Sequence, residues 1–258
     1  MTASDALSLS GLVVARGGRD VVRDVSIDIP PASVTALLGP NGAGKSSIVL
    51  AIGGVLPLKA GSVTLGGTEL ARRRPEQIRR AGLAIVPEGR RLLPDLSVED
   101  NLRVATYALS SSQAKTGRAR ALEMFPELQK RLSSQARSLS GGEQQMVVLA
   151  QALVSQPRFV IIDELSLGLA PVVVQRLIAT IRDIVAAGIG VLLIEQFATV
   201  ALSLAGEAYV MEGGRVQFSG DARTLRENPD QLHSAYLLRG AGADADEATM
   251  PSPQLPSG

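Results

Sequence analysis

The sequence predicts an α/β fold with a mostly parallel sheet covered on both faces. Short apolar runs of strand length alternate with stretches of helical period through the second half of the chain. An earlier apolar run ends in a glycine-rich turn that opens a helix, and a block of purely helical period interrupts the alternation. The opening reads as β. Val21, Val25, Ile27 and Ile29 alternate with Asp24, Ser26 and Asp28, which suits a strand with one wet face. Ser33–Leu38 is a candidate buried strand and Lys45–Ile52 a helix. Val63–Leu65 runs into a Gly66-Gly67 turn, and Leu83–Val86 is a strand stopped by Pro87.

Between Val98 and Arg137 the period turns helical, with Val98, Leu102, Ala105 and Leu109, then Ala121, Leu122, Phe125 and Leu128, as a lobe inserted between core strands. A helix (Gly142–Leu153), a strand (Phe159–Ile162), a helix (Val172–Ala186), a strand (Val191–Ile194) and a helix (Ala198–Ala205) follow. Tyr209–Phe218, broken at Gly213-Gly214, reads as a terminal hairpin. No internal repeat is visible. Residues 240–258, rich in Ala, Asp, Pro and Ser, have little to bury and are expected to be a disordered tail.

A chain of 258 residues, 45% apolar and 20% charged, suits one globular unit. Its net charge of +1 gives no bulk electrostatic case for nucleic acid or an anionic membrane. With no cysteine, disulfides and thiolate metal sites are excluded. Met1–Ser10 does not read as a secretory leader, and no stretch approaches the roughly 20 apolar residues of a spanning helix. Any membrane role is expected from the side.

Residues Gly39-Pro40-Asn41-Gly42-Ala43-Gly44-Lys45-Ser46 match G-x-x-x-x-G-K-[ST] in full, between a strand and a helix. Glycines let the backbone fold so that successive N–H groups converge on phosphate oxygens, and the helix start adds its positive dipole end. Lys45 is placed for the β- and γ-phosphates and Ser46 for Mg²⁺; Ser47 completes the candidate nucleotide segment. The alternative, a glycine-rich turn that happens to end in Lys-Ser, does not account for eight matched positions. A second apolar strand ends in Asp163-Glu164. Asp163 is placed to hold the metal shell and Glu164 to orient or deprotonate an attacking water.

Leu139-Ser140-Gly141-Gly142-Glu143-Gln144-Gln145 opens a helix just before the acidic strand. It resembles the LSGGQ signature of ABC ATPases, although a helix cap with an acidic first turn would explain Ser140 and Glu143 alone. Val86-Pro87-Glu88-Gly89-Arg90-Arg91, Ser166-Leu167-Gly168-Leu169-Ala170-Pro171 and Ile194-Glu195-Gln196 look like the ATP-binding subunits of branched-chain amino-acid importers, in particular the second of the two such systems carry. The resemblance covers residues 7–239. It implies a RecA-like P-loop core, an N-terminal antiparallel β subdomain and an α-helical subdomain inserted at about 93–140. It also implies head-to-tail dimerisation, in which Ser140, Gly141, Gly142 and Glu143 of one subunit close on the other's ATP. Two permease subunits and, indirectly, a solute-binding protein are the further partners implied.

The chain departs from the family pattern at several points. Glu88 stands where most members have Gln and is expected to reach Mg²⁺, a mark of the branched-chain subgroup. Gln196 replaces the switch histidine and offers only a neutral hydrogen bond. Ala170 stands at the aspartate position of the following loop, and Leu165 replaces Pro after the acids. Arg16 stands where an aromatic usually meets adenine. The one histidine, His233, is expected on the surface of a C-terminal helix. These changes lead to the expectation that the site is slow alone and that a fuller partner ATPase supplies much of the turnover. Leu92, Leu93 and Leu96 are expected either to form an apolar groove for a permease helix, with Leu92→Asp uncoupling transport, or to be ordinary packing of the helical lobe. The alternatives are a weakly catalytic regulatory half of a heterodimer and a soluble ABC ATPase outside transport. The short interval between phosphate loop and signature and the single cassette argue against repair and translation types.

Overall fold

In the computed structural model, residues 5–228 and 230 are described. In chain order the elements are β1 (Leu7–Arg16), β2 (Arg19–Ile29), β3 (Val34–Leu38), α1 (Lys45–Ile52), β4 (Leu58–Leu65), β5 (Thr68–Glu69), α2 (Pro75–Arg80), β6 (Leu83–Val86), α3 (Val98–Val104), α4 (Ser111–Met124), α5 (Pro126–Gln129), α6 (Gly141–Leu153), β7 (Phe159–Asp163), α7 (Pro171–Ala186), β8 (Gly190–Glu195), α8 (Ala198–Leu204), β9 (Glu207–Glu212), β10 (Arg215–Asp221) and α9 (Ala222–Glu227). Among the described residues they form a four-stranded antiparallel sheet, β2-β1-β4-β5, and a six-stranded sheet, β10-β9-β3-β8-β7-β6. The larger sheet is parallel from β9 to β6, with β10 antiparallel at its edge. His233 and residues 240–258 lie outside the described residues.

Alternation along the parallel strands sorts side chains into two cores. Val160, Ile162, Val191, Leu193, Ala36 and Leu38 face α6, α7 and α8. Phe159, Ile161, Leu192, Ile194 and Leu37 face α1 and the antiparallel sheet. Each fully buried Leu or Ile contributes about 1.5–3 kcal/mol. Apolar positions of the inserted helices, among them Val98, Leu102, Ala121, Phe125 and Leu128, join the first of these cores. The helices therefore share one continuous interior with the sheet.

Three elements differ from the sequence reading, each for a physical reason. β1 alternates as Leu7, Leu9 and then Leu12, Val14, because a register shift between Leu9 and Leu12 at Gly11 (φ +58°) offsets the pattern by one residue. In β2 the inward residue is Val22, at 0% exposure, rather than Val21: Asp24 takes a left-handed conformation (φ +59°) and shifts the register. α2 presents a single buried residue, Ile78, too little for a periodicity signal. The terminal hairpin lies where expected. Gly213 (φ +55°) and Gly214 (φ +81°) both take the left-handed conformation, as a two-residue type I′ turn demands.

That turn joins the two sheets to the glycine-rich loop. Gly214 N–H donates to Ala43 O at 3.1 Å, and Gly214 O accepts from Arg23 N–H at 2.7 Å. A Cβ on Gly214 would stand 2.6 Å from Val21 O, whereas one on Gly213 would meet nothing within 4 Å. Gly213→Ala should therefore lower the unfolding free energy by about 1–2 kcal/mol, the left-handed penalty alone. Gly214→Ala should lower it by about 2–4 kcal/mol, because the carbonyl must also move. Equal losses for the two in urea titrations would contradict this account of the turn.

Candidate functional site

β3 ends at Leu38 and the chain turns through Gly39–Gly44. Gly42 (φ +82°) and Gly44 (φ +105°) hold left-handed conformations, and a Cβ on Gly44 would lie 2.6 Å from Val21 O. Ala43 N–H closes the turn on Pro40 O at 3.2 Å. Gly44 is the N-cap of α1 and offers no side-chain cap, so the leading N–H groups of the helix face outward over the loop. Lys45 is 5% exposed. Its Nζ donates to Gly39 O at 2.7 Å and Pro40 O at 3.1 Å. Burial lowers its pKa, against the opposing fields of Glu164, Asp163, Glu195 and Glu88.

The alternation of β7 and β8 assigns the residues that follow. Phe159 and Ile161 face α1, so Asp163 falls on the same side. Asp163 is 5% exposed, and burial, followed by the fields of Glu164 and Glu88, pushes its carboxyl up to about 6. Glu164 takes a left-handed conformation (φ +53°), strained for a non-glycine residue by about 1–3 kcal/mol. Its N–H donates to Ile194 O at 2.9 Å. Leu165, where the family usually has Pro, is fully buried and anchors this turn in the core. On β8, Leu192 and Ile194 face α1; Glu195 turns to the opposite side, and Gln196, just past the strand, lines the cavity.

These residues surround one cavity of about 440 Å³. Lys45, Ser46 and Ser47 line it with Asn41, Gly42 and Gly44, facing Glu88, Glu164 and Gln196. Arg16 and Val21 from the antiparallel sheet close another side. Gly39, Pro40 and Ala43 frame the loop through their backbones, and Asp163 is coupled electrostatically to Lys45, Glu164 and Glu88. No three acidic side chains among the described residues stand close enough to cage a metal alone. Asp163, Glu88 and the Ser46 hydroxyl are nevertheless hard oxygen donors in a site with excess negative charge. That donor set fits Mg²⁺, which takes one or two carboxylates together with phosphate oxygens.

The signature segment does not line this cavity. Ser140 caps α6: its Oγ accepts from Glu143 N–H at 3.3 Å, and Glu143 Oε2 accepts from Ser140 N–H at 2.9 Å. Glu143 also pairs with Arg131 at 2.8 Å. Within one chain Glu143 therefore serves the cap, and Ser140 remains at the surface.

Sequence reasoning gave no role to Glu195, Ser166, Arg90 or Leu167. Glu195 is 2% exposed; burial drives its carboxyl up to about 7, while it accepts from Ser166 N–H at 3.1 Å and Ser166 Oγ–H at 3.0 Å. Arg90 Nη2 donates to Leu167 O at 3.1 Å, and Leu167 lines the cavity. The available signal was a polar residue closing an apolar strand, the same signal that marked Asp163.

A second concavity of about 460 Å³ opens between α2, β6, α3 and α6, where Ile78, Arg79, Leu93, Val104 and Tyr107 line it. Leu93, Val104 and Tyr107 are 43%, 47% and 68% exposed. Leu92 is half-buried and packs against the core, and Leu96 does not line the concavity, which corrects their expected place in the groove; Leu93 is the residue that faces it. Asn101, fully buried, braces this loop by bonding both Leu93 N–H and Leu93 O.

Residues 22–166 match the ABC transporter family. The chain is 36% identical over 231 residues to the high-affinity branched-chain amino acid transport ATP-binding protein BraG of Pseudomonas aeruginosa, covering 90% of this chain and 99% of that one. It is 31% identical over 236 residues to the lipopolysaccharide export system ATP-binding protein LptB of Escherichia coli, covering 90% and 96%. A solved ATP binding subunit of an ABC transporter superimposes with a TM-score of 0.77 at 30% identity, covering 89% and 98%. With the phosphate-type loop, the acidic strand end and the capped signature helix arranged as described, the chain belongs to the ABC transporter family as an ATP-binding, ATP-hydrolysing subunit.

Proposed function

We propose that the chain powers an importer of branched-chain amino acids or a related small polar solute, as one half of a nucleotide-sandwiching dimer docked on the cytoplasmic face of a membrane. One observation carries the dimer. Lys45, Glu88, Glu164 and Gln196 converge on a single cavity, while Ser140–Glu143 opens a helix that does not line it. The second anion-binding helix start then serves a nucleotide held by another subunit. Similarity to BraG supports the importer assignment. No helix among the described residues is long and apolar enough to cross a membrane, which accords with docking from the side.

In this reading the N–H groups of Gly42–Ser47 bind the β- and γ-phosphates, and Lys45 exchanges two neutral carbonyls for an anion. Ser46, Asp163 and Glu88 would hold Mg²⁺, whose charge on the phosphate oxygens lowers the barrier to transfer. Glu164 accepts the proton of the attacking water as its oxygen bonds to the γ-phosphorus and the bond to the bridging oxygen breaks. Gln196 donates a neutral hydrogen bond to the γ-phosphate. Arg16, at the cavity's rim, would lie against the base. Glycine amides and Ser140 of the second subunit cover the far end. Closure moves a permease segment seated in the groove of Leu93, Val104 and Tyr107. A second reading, an exporter subunit, draws on the similarity to LptB. Uptake and efflux assays on the reconstituted complex separate the two.

Glu164→Gln should abolish turnover and trap ATP in a stable dimer visible by size-exclusion chromatography; unchanged hydrolysis would sink the catalytic assignment. Leu93→Asp should cut transport by about tenfold or more while leaving ATP affinity within about twofold, since its side chain faces the groove and not the core. Parallel loss of nucleotide binding would count against the coupling role.

Asp163 and Glu195, pushed up to about 6 and about 7, bind protons more tightly folded than unfolded. In nucleotide-free, metal-free protein their contribution to stability is complete below the ordinary carboxylate pKa. It is lost as pH rises through 6 and 7. Glu195→Gln removes one of these titrations. Its advantage in Tm over the wild type should thus be larger at pH 8 than at pH 5, by about a few degrees. A difference that grows towards acid would contradict the assignment.

A further inference from the structure

β8 ends in a carboxylate that the nucleotide cavity does not use. Glu195 points to the face opposite α1, is 2% exposed, and both its oxygens accept from one residue, Ser166, through N–H at 3.1 Å and Oγ–H at 3.0 Å. The preceding residue on the same strand, Ile194, accepts the N–H of Glu164 at 2.9 Å. Two successive residues of β8 therefore hold both ends of the Glu164–Ser166 segment, and Leu165 between them is sunk in the core. From the other side Arg90 holds Leu167 O at 3.1 Å. Further along, Ala170 caps α7 with no side-chain hydrogen bond, so the loop is secured mainly at its start.

We propose that Glu195 is a positioning residue: by binding Ser166 it keeps Glu164 in its left-handed conformation towards the nucleotide cavity and ties that loop to the end of β8, which Gln196 directly follows. The two groups on either side of the reacting phosphate are then held as one unit. A side chain ending in two polar atoms is what the geometry requires, because Ser166 presents an N–H and a hydroxyl from a single residue. An aliphatic group at position 195 could engage neither. The inference rests on the reading of Glu164 as the residue acting on water.

The test uses the full chain assembled with its partner ATPase and permease. Glu195→Ala should lower kcat by about 10- to 100-fold, the scale of a misplaced catalytic group, with the Kd for ATP within about twofold of the wild type. Glu195→Gln should stay within about threefold of the wild type, since its amide oxygen still accepts from Ser166 N–H while its NH₂ meets the hydroxyl. The double variant Glu195→Ala/Ser166→Ala should be no slower than Glu195→Ala alone, because both act through one contact. Wild-type kcat in Glu195→Ala, equal losses in the Gln and Ala variants, additive losses, or ATP affinity falling in step with kcat would each overturn the proposal. Glu164→Gln separates the two layers. Trapping of ATP by that variant beside normal turnover in Glu195→Ala removes the positioning role alone. Normal hydrolysis in Glu164→Gln removes both.

Discussion

A single buried ammonium at the carboxyl end of the parallel sheet feels four carboxylates. Lys45 donates to the Gly39 and Pro40 carbonyls, while Asp163, Glu164, Glu88 and Glu195 act on it through a low-dielectric interior. Among the described residues lining the cavity, Arg16 at its rim is the one other basic side chain. Burial first, and then the neighbouring carboxylates, push Asp163 up to about 6 and Glu195 up to about 7. A divalent cation among the same carboxylates would relieve that imbalance in another way.

The alternation of β7 and β8 turns that crowding into an ordered site. Each residue after the last apolar pair takes the opposite face from its predecessor. Asp163 falls towards α1 and Glu195 away from it, while Gln196, just past the strand, lines the cavity. Glu164 breaks the pattern with a left-handed turn, and the hydrogen bonds around it hold that turn in place. A one-residue slip in either strand would exchange a cavity residue for a core one.

The phosphate-type loop, the acidic strand end and the helix-opening signature were legible because each is a short contiguous string whose chemistry depends on spacing. The strands β3, β6, β7 and β8 were legible because burial on both faces leaves unbroken apolar runs. β1 was hidden by the bulge at Gly11, and Val21 was assigned inward because the turn at Asp24 is invisible in composition. Leu92 and Leu93 are indistinguishable as letters; only the bracing of Leu93 by Asn101 decides which side chain faces the groove. The contact of Glu195 with Ser166 joins residues far apart in the chain, and no periodicity encodes it.

The clasp at Gly214 has a bearing on biosynthesis. The glycine-rich loop is built early, yet its carbonyl at Ala43 is held by a turn near the end of the described chain, which in turn binds Arg23 in the first hairpin. A ribosome-bound fragment lacking β9 and β10 would hold the loop's residues without the frame that shapes them. Nucleotide affinity should therefore mature late, only after the last hairpin has emerged and closed over the beginning of the polypeptide.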